Sequence, residues 1–260
     1  SCHIFPMRRH RHPTISTIAG LFYPYIMKII PCPSYRRPFV PNPQLKGLFA
    51  GSGSAAMNTN YICQAVIDLT RRQPQDLSLL YIGTATYDID KYREKQTNVF
   101  ANLGVQIDSL DIANTSMPKE KMEEKVDKSD IILVSGGNTL YALDRWNYLG
   151  LNEMLIEAAN KGKVLAGGSA GAICWFDSGH SDSDDPETYR NFMLNDGQPT
   201  KSQSIEKGNN DVKASWDYIR VEGLGILPGL VCPHYDRTQS NGVKRMVDFE
   251  AMLKRHPYEL

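Results

Sequence analysis

Acidic residues are missing from the first quarter of this 260-residue chain: no Asp or Glu precedes Asp68. Of the 29 Lys and Arg, six fall in residues 1–45, which leaves 23 against 29 Asp and Glu in the rest. The main body is therefore mildly acidic, which argues against a nucleic-acid partner. The five cysteines (Cys2, Cys32, Cys63, Cys174 and Cys232) form no CxxC pair. That spacing excludes the usual zinc sites, and an odd, scattered set fits a reducing compartment better than a disulfide framework. No metal or cofactor is expected. Long apolar runs are also lacking. The candidate "IAGLFYPYIMKII" is interrupted by Pro24 and is too short to span a bilayer, so no membrane partner is expected. No internal repeat is found.

Proline is unevenly spread. Eight of the fifteen lie in the first 45 residues, together with the basic "MRRHRH". Such density sustains neither a helix nor a central strand. Residues 1–44 are read as a disordered leader, either an organellar transit segment or a gene-model artefact, ahead of a single domain over 45–260. Location is then cytoplasmic, or organellar if the leader belongs to the mature protein.

From Leu45 the pattern is regular. "LKGLFAGSG", "LSLLYIGTA", "VQIDSLDI", "DIILVSGG" and "KVLAGGS" read as five strands. "NYICQAVIDLTRR", "KYREKQTNVFANLG", "MPKEKMEEKVDKS", "TLYALDRWNYLG" and "LNEMLIEAANKG" read as helices between them. Apolar strands without alternation, separated by helices, predict an α/β fold with a mainly parallel sheet covered on both faces. Residues 178–214 are polar and turn-rich and read as a long loop that walls the site. "WDYIRVEGLGILPGLVCPHYD" returns to strand, and "GVKRMVDFEAMLKRH" is a last amphipathic helix. A helix in such a unit ordinarily leads into another strand, so the chain reads as truncated after Leu260.

The glycine-rich exits "SGSAA", "GTAT", "SGGNT" and "GGSAGA" belong at the carboxyl ends of the strands, where ligands gather in open parallel sheets. Gly167-Gly168-Ser169-Ala170-Gly171 fits G-x-S-x-G between a strand and a helix, the setting of a nucleophile elbow. A tight turn there forces the serine into an unfavourable backbone region, so its neighbours must be small. It also aims free N–H groups at an oxyanion. Plain close packing or phosphate binding is the bland alternative. A serine nucleophile needs a base. His3, His10 and His12 lie in the leader, and His256 in a basic helix end. His234, at the end of "GLVCPHYD" and hence on the same sheet edge as Ser169, is ranked first. His180, in the polar loop, is ranked second, as a substrate contact or structural group. Asp182, Asp184, Asp185, Glu222 and Asp236 are all candidate acids. Asn138 reads as a helix cap beside a potential oxyanion hole.

"SGGNT", "GGSAGA" and "LPGLVCPHYD", in that order and spacing, resemble the dipeptidase E–cyanophycinase family of serine peptidases, over about residues 45–260 and nearer the dipeptidase E branch. The resemblance implies a flavodoxin-like, doubly wound fold related to class I glutamine amidotransferases. It implies Ser169 as nucleophile, His234 as base, and the N–H groups of Gly137 and Ala170 as oxyanion hole. It implies short peptides, with an N-terminal aspartate favoured, as substrates. Cyanophycinases carry an aspartate two residues before the histidine. Cys232 stands there instead, which disfavours cyanophycin cleavage. The family's acid falls either on Asp184 or on a Glu beyond the last helix, past Leu260. The expected partner is thus a short peptide, with a homodimer as one assembly. Two other readings are an α/β esterase and a catalytically silent ligand-binding member.

Overall fold

Strands buried on both faces must be apolar at every position, and the centre of this protein is built that way. The computed structural model describes residues 27–30, 44–195 and 216–255, together with the backbone of three short strands at 18–20, 204–207 and 211–214. Two short strands, β1 (Ile18–Gly20) and β2 (Lys28–Ile30), precede the first long one, β3 (Lys46–Ala50). Then come α1 (Ser54–Met57), α2 (Asn60–Asp68), β4 (Ser78–Ile82), α3 (Asp90–Asn102), β5 (Gln106–Ser109), α4 (Lys119–Lys128) and β6 (Ile131–Val134). Helices α5 (Thr139–Leu149) and α6 (Leu151–Asn160) lead to β7 (Val164–Gly168).

All of these strands except β2 form one parallel six-stranded sheet in the order β1-β3-β7-β6-β4-β5. The chain runs outward from β4 to β5, then returns to lay β6 and β7 on the other side of β4. The crevice at the carboxyl ends of β4 and β6 is therefore a topological switch point. One face buries Leu48, Leu79, Tyr81, Leu133 and Ala166 under α2 and α3, through Val66, Ile67 and Phe100. The other buries Phe49, Leu80, Ile82, Ile132 and Leu165 under α4, α5 and α6, through Val126, Trp146 and Leu155. Alternate residues of each strand serve opposite faces, and both faces are apolar, which is why the sequence shows no alternation. The fold is α/β, doubly wound and flavodoxin-like.

After β7 come α7 (Ala170–Ile173), β8 (Phe176–Ser181), α8 (Pro186–Leu194), β9 (Ser204–Lys207), β10 (Asp211–Ala214), β11 (Ile219–Glu222), β12 (Leu227–Cys232) and α9 (Arg245–Arg255). A second sheet of mixed direction has the order β11-β8-β12-β2. It packs on the first through an edge-on contact between Phe176 and Phe49, ring centroids 5.5 Å apart. Strands β9 and β10 pair antiparallel.

Two expectations change. Residues 178–214 are not a plain loop: β8 is an inner strand of the second sheet, α8 follows it, and β9 and β10 pair with each other. The boundary at 44/45 is also not clean, because β1 pairs with β3 and β2 with β12, leaving Met27 buried. The rest of the expected leader, with His3, His10 and His12, lies outside the described residues, as does His256. Among the described residues no helix is long and apolar enough to cross a membrane.

Candidate active site

The exits of β3, β4, β6 and β7 converge on one cleft of about 390 Å³, lined among others by Gly53, Thr86, Gly137 and Ser169. The small residues around the serine have a measurable reason. A Cβ on Gly168 would stand 2.0 Å from the Ser52 carbonyl oxygen, and one on Gly171 2.1 Å from that of Val134. Backbone therefore touches backbone on both sides of the turn, and only glycine permits it. A Cβ on Gly136 would lie 3.4 Å from the Cβ of Ser169, so the β6 exit abuts the serine.

Ser169 has φ 57° and ψ −120°, a conformation that L-residues rarely adopt. Its N–H is tied to the Ala50 carbonyl at 3.1 Å, and its Oγ lies 3.0 Å from Nε2 of His234. His234 is also at positive φ, 50°. It does not share the sheet edge of Ser169 as expected. It follows β12 of the second sheet and crosses to the first by donating its N–H to the Gly51 carbonyl at 3.1 Å. Burial, and next the Arg245 guanidinium, hold its imidazole below the ordinary value; Asp182 acts in the opposite sense. The ring is therefore neutral at pH 7, with Nε2 free to accept when Nδ1 carries the proton.

Of the other expected site residues, Gly137 follows β6 and lines the cleft, and Ala170 follows Ser169 as the first residue of α7. Helix α7 is a single turn, so their N–H groups matter rather than any long helix dipole. Asn138 is fully buried and not a substrate contact. Its Oδ1 caps α5 through the Tyr141 N–H at 3.1 Å. Its Nδ2 donates to the Tyr87 hydroxyl at 3.1 Å and to the Asp184 carbonyl at 2.8 Å. All its polar capacity is used. Asn138→Ala orphans these groups and lowers stability by about 2–3 kcal/mol, measured by urea unfolding.

Asp184 does not line the cleft; its carboxylate accepts from the N–H of Asp185 at 2.8 Å. The cleft's carboxylate is Asp182, two residues earlier. His180 sits within β8, wholly buried, and does not reach the cleft. Its Nε2 is 2.8 Å from Asp248 Oδ1, and its Nδ1 accepts from Arg245 Nε at 3.3 Å, which fixes the proton on Nε2. The Tyr218 ring lies against it, centroids 4.5 Å apart. Cys232 is a buried thiol pushed up to about 12 by desolvation, so it is no nucleophile at neutral pH. Among the described residues no group of three or more His, Cys, Asp or Glu is placed to hold a metal ion.

Residues 178–214 were expected to wall the site, and Tyr189 and Met193 of α8 do line the cleft; the sequence reading did not single them out, nor Tyr92 and Gln96 of α3, which line it with them. The Tyr92 hydroxyl donates to the Met193 carbonyl at 2.7 Å and fastens α8 to α3.

Residues 48–200 match the model of peptidase family S51, and the chain belongs to that family. The matched span contains Ser169; His234 lies beyond it. A Trypanosoma brucei brucei protein named G2/mitotic-specific cyclin-1 is 29% identical over 236 residues, covering 83% of this chain and 68% of its own length. The uncharacterized peptidase YgaJ of Bacillus subtilis (strain 168) is 28% identical over 186 residues, covering 72% of this chain and 66% of its own. This chain thus spans about two thirds of the length of these two relatives. A solved peptidase from an acI-B1 Actinobacterium is 20% identical, with TM-score 0.45, over 68% of this chain and 63% of that one.

Proposed function

We propose that this chain is a serine exopeptidase that cleaves short peptides through an acyl-enzyme on Ser169, with an N-terminal aspartate as the favoured first residue. The observation that carries the reading is the 3.0 Å approach of Ser169 Oγ to His234 Nε2 at the mouth of a strained turn. His234 accepts the Oγ proton as Oγ attacks the scissile carbonyl carbon. The carbonyl oxygen takes up the charge and is received by the N–H groups of Gly137 and Ala170. Collapse of the tetrahedral intermediate breaks the C–N bond, and His234 returns the proton to the leaving amine. Water, deprotonated by the same imidazole, then releases the acid. A cleft of about 390 Å³, lined in part by α8, suits a di- or tripeptide and no folded chain.

A panel of Asp-X dipeptides, other dipeptides, N-acetylated peptides and short esters tests the reading. Turnover of free Asp-X peptides above all others is the expected result. Ester hydrolysis without peptide hydrolysis overturns it.

A further inference from the structure

Arg245 is the first residue of α9 and is completely buried. Its Nε donates to His180 Nδ1 at 3.3 Å, and its Nη2 donates to the His180 carbonyl. Its guanidinium lies over the Tyr218 ring, 5.1 Å from the centroid. Nη1 makes no hydrogen bond among the described residues, although it is buried. Its ion-pair partner is Asp182, whose Oδ2 stands 3.7 Å from Nη1. The Asp182 side chain is 15% exposed and faces the cleft that holds Ser169 and His234. A buried guanidinium with one nitrogen outside any hydrogen bond among the described residues, and a loose counter-ion, keeps a strong local field, because little water screens it.

We propose that Arg245 and Asp182 are a positioning pair for His234, a buried cation and a cleft-facing carboxylate that act on the imidazole with opposite sign. The inference rests on the hydrolase reading only for its kinetic readout. Asp182 favours the imidazolium formed during attack and Arg245 opposes it. Together they keep the ring neutral at rest and still able to accept a proton. The other charges that face His234 belong to its own loop: Asp236 and Arg237 are exposed and opposite in sign, so water screens them and they largely offset. On α9, Asp248 is engaged by His180. On β12, the Cys232 thiol stays protonated. The pair from the turn after β8 and from α9 is what remains.

The test is the pH profile of kcat/KM for Asp182→Asn, Arg245→Gln and Arg245→Lys against the unmodified chain. Removing the carboxylate moves the acid limb down by about one pH unit, and removing the guanidinium moves it up by a similar amount. Arg245→Lys retains the cation and leaves the limb in place. A merely structural role gives no such opposite pair of shifts. If Arg245→Gln fails to fold, Asp182→Asn decides alone, since its side chain borders the cleft. Folded variants whose limbs stay still, or move in the same direction, overturn the proposal. Titration of the His234 ring by NMR in the same proteins reads the same directions without turnover. Absence of Ser169-dependent hydrolysis would sink the hydrolase reading, and the NMR shifts would still decide this one.

Discussion

Ser169→Ala is expected to fold normally and to lose peptide turnover by about 10⁴-fold or more. The two halves of that result have separate causes. Alanine keeps the Cβ, so the strain of φ 57° is the same in both proteins. The Ser169 Oγ is hydrogen-bonded to His234, on a side chain that borders the cleft. Stability should therefore change by less than about 1 kcal/mol, read as an unchanged urea midpoint. Chemistry, by contrast, loses the atom that forms the covalent bond in the proposed mechanism. A fluorophosphonate reagent should label the unmodified chain and leave Ser169→Ala unlabelled. Retained turnover or retained label would place the nucleophile elsewhere. Ser169→Gly sharpens the argument: it is equally inactive, yet it relieves the positive φ and should be no less stable than the alanine variant.

The largest structural effect is expected at Gly137. Its φ is +123°, and an added Cβ would stand 2.1 Å from the Ala85 carbonyl oxygen. That oxygen already accepts the Asn138 N–H at 2.8 Å. Gly137→Ala must therefore shift the β6 exit, weaken that bond and disturb the cap of α5. Backbone strain and overpacking together amount to about 4 kcal/mol. The urea midpoint should fall accordingly, or the variant should be recovered only as insoluble protein. Any folded remainder should be slow, because the Gly137 N–H would leave the place proposed for the oxyanion. A cost below about 1 kcal/mol would show that the loop gives way and that nothing there is held by the glycine.

The sheet was legible because its strands are apolar on both faces and end in glycines that mark the carboxyl edge. Ser169 was legible for the same reason: its small neighbours are a steric necessity. The second sheet was not. "FDSGHS" contains little that reads as a buried strand, yet Ser178, His180 and Ser181 are all buried. Hydrogen bonding replaces hydrophobicity there, through Asp248 and Arg245 for His180 and through Ser183 and Thr139 for Ser181. Asp248, Arg245 and Thr139 are all distant in sequence from the groups they satisfy, and periodicity carries no trace of that. Arg245 did leave a trace. It stands four and seven residues before Phe249 and Met252, on the buried face of α9, where a solvated arginine has no place. The cleft's carboxylate was the hardest to read, because Asp182 and Asp184 differ only in which of them the turn after β8 presents to the cleft.

Ser169 ends a strand of one sheet and His234 ends a strand of the other, so neither half of the molecule contains the reactive pair. The Phe49–Phe176 contact and the Gly51–His234 backbone bond hold the two sheets in register. Competence thus belongs to the joint rather than to either part. A partial opening that parts the sheets by little more than an ångström would silence the pair while leaving the helices and most of the spectroscopic signature of folding intact.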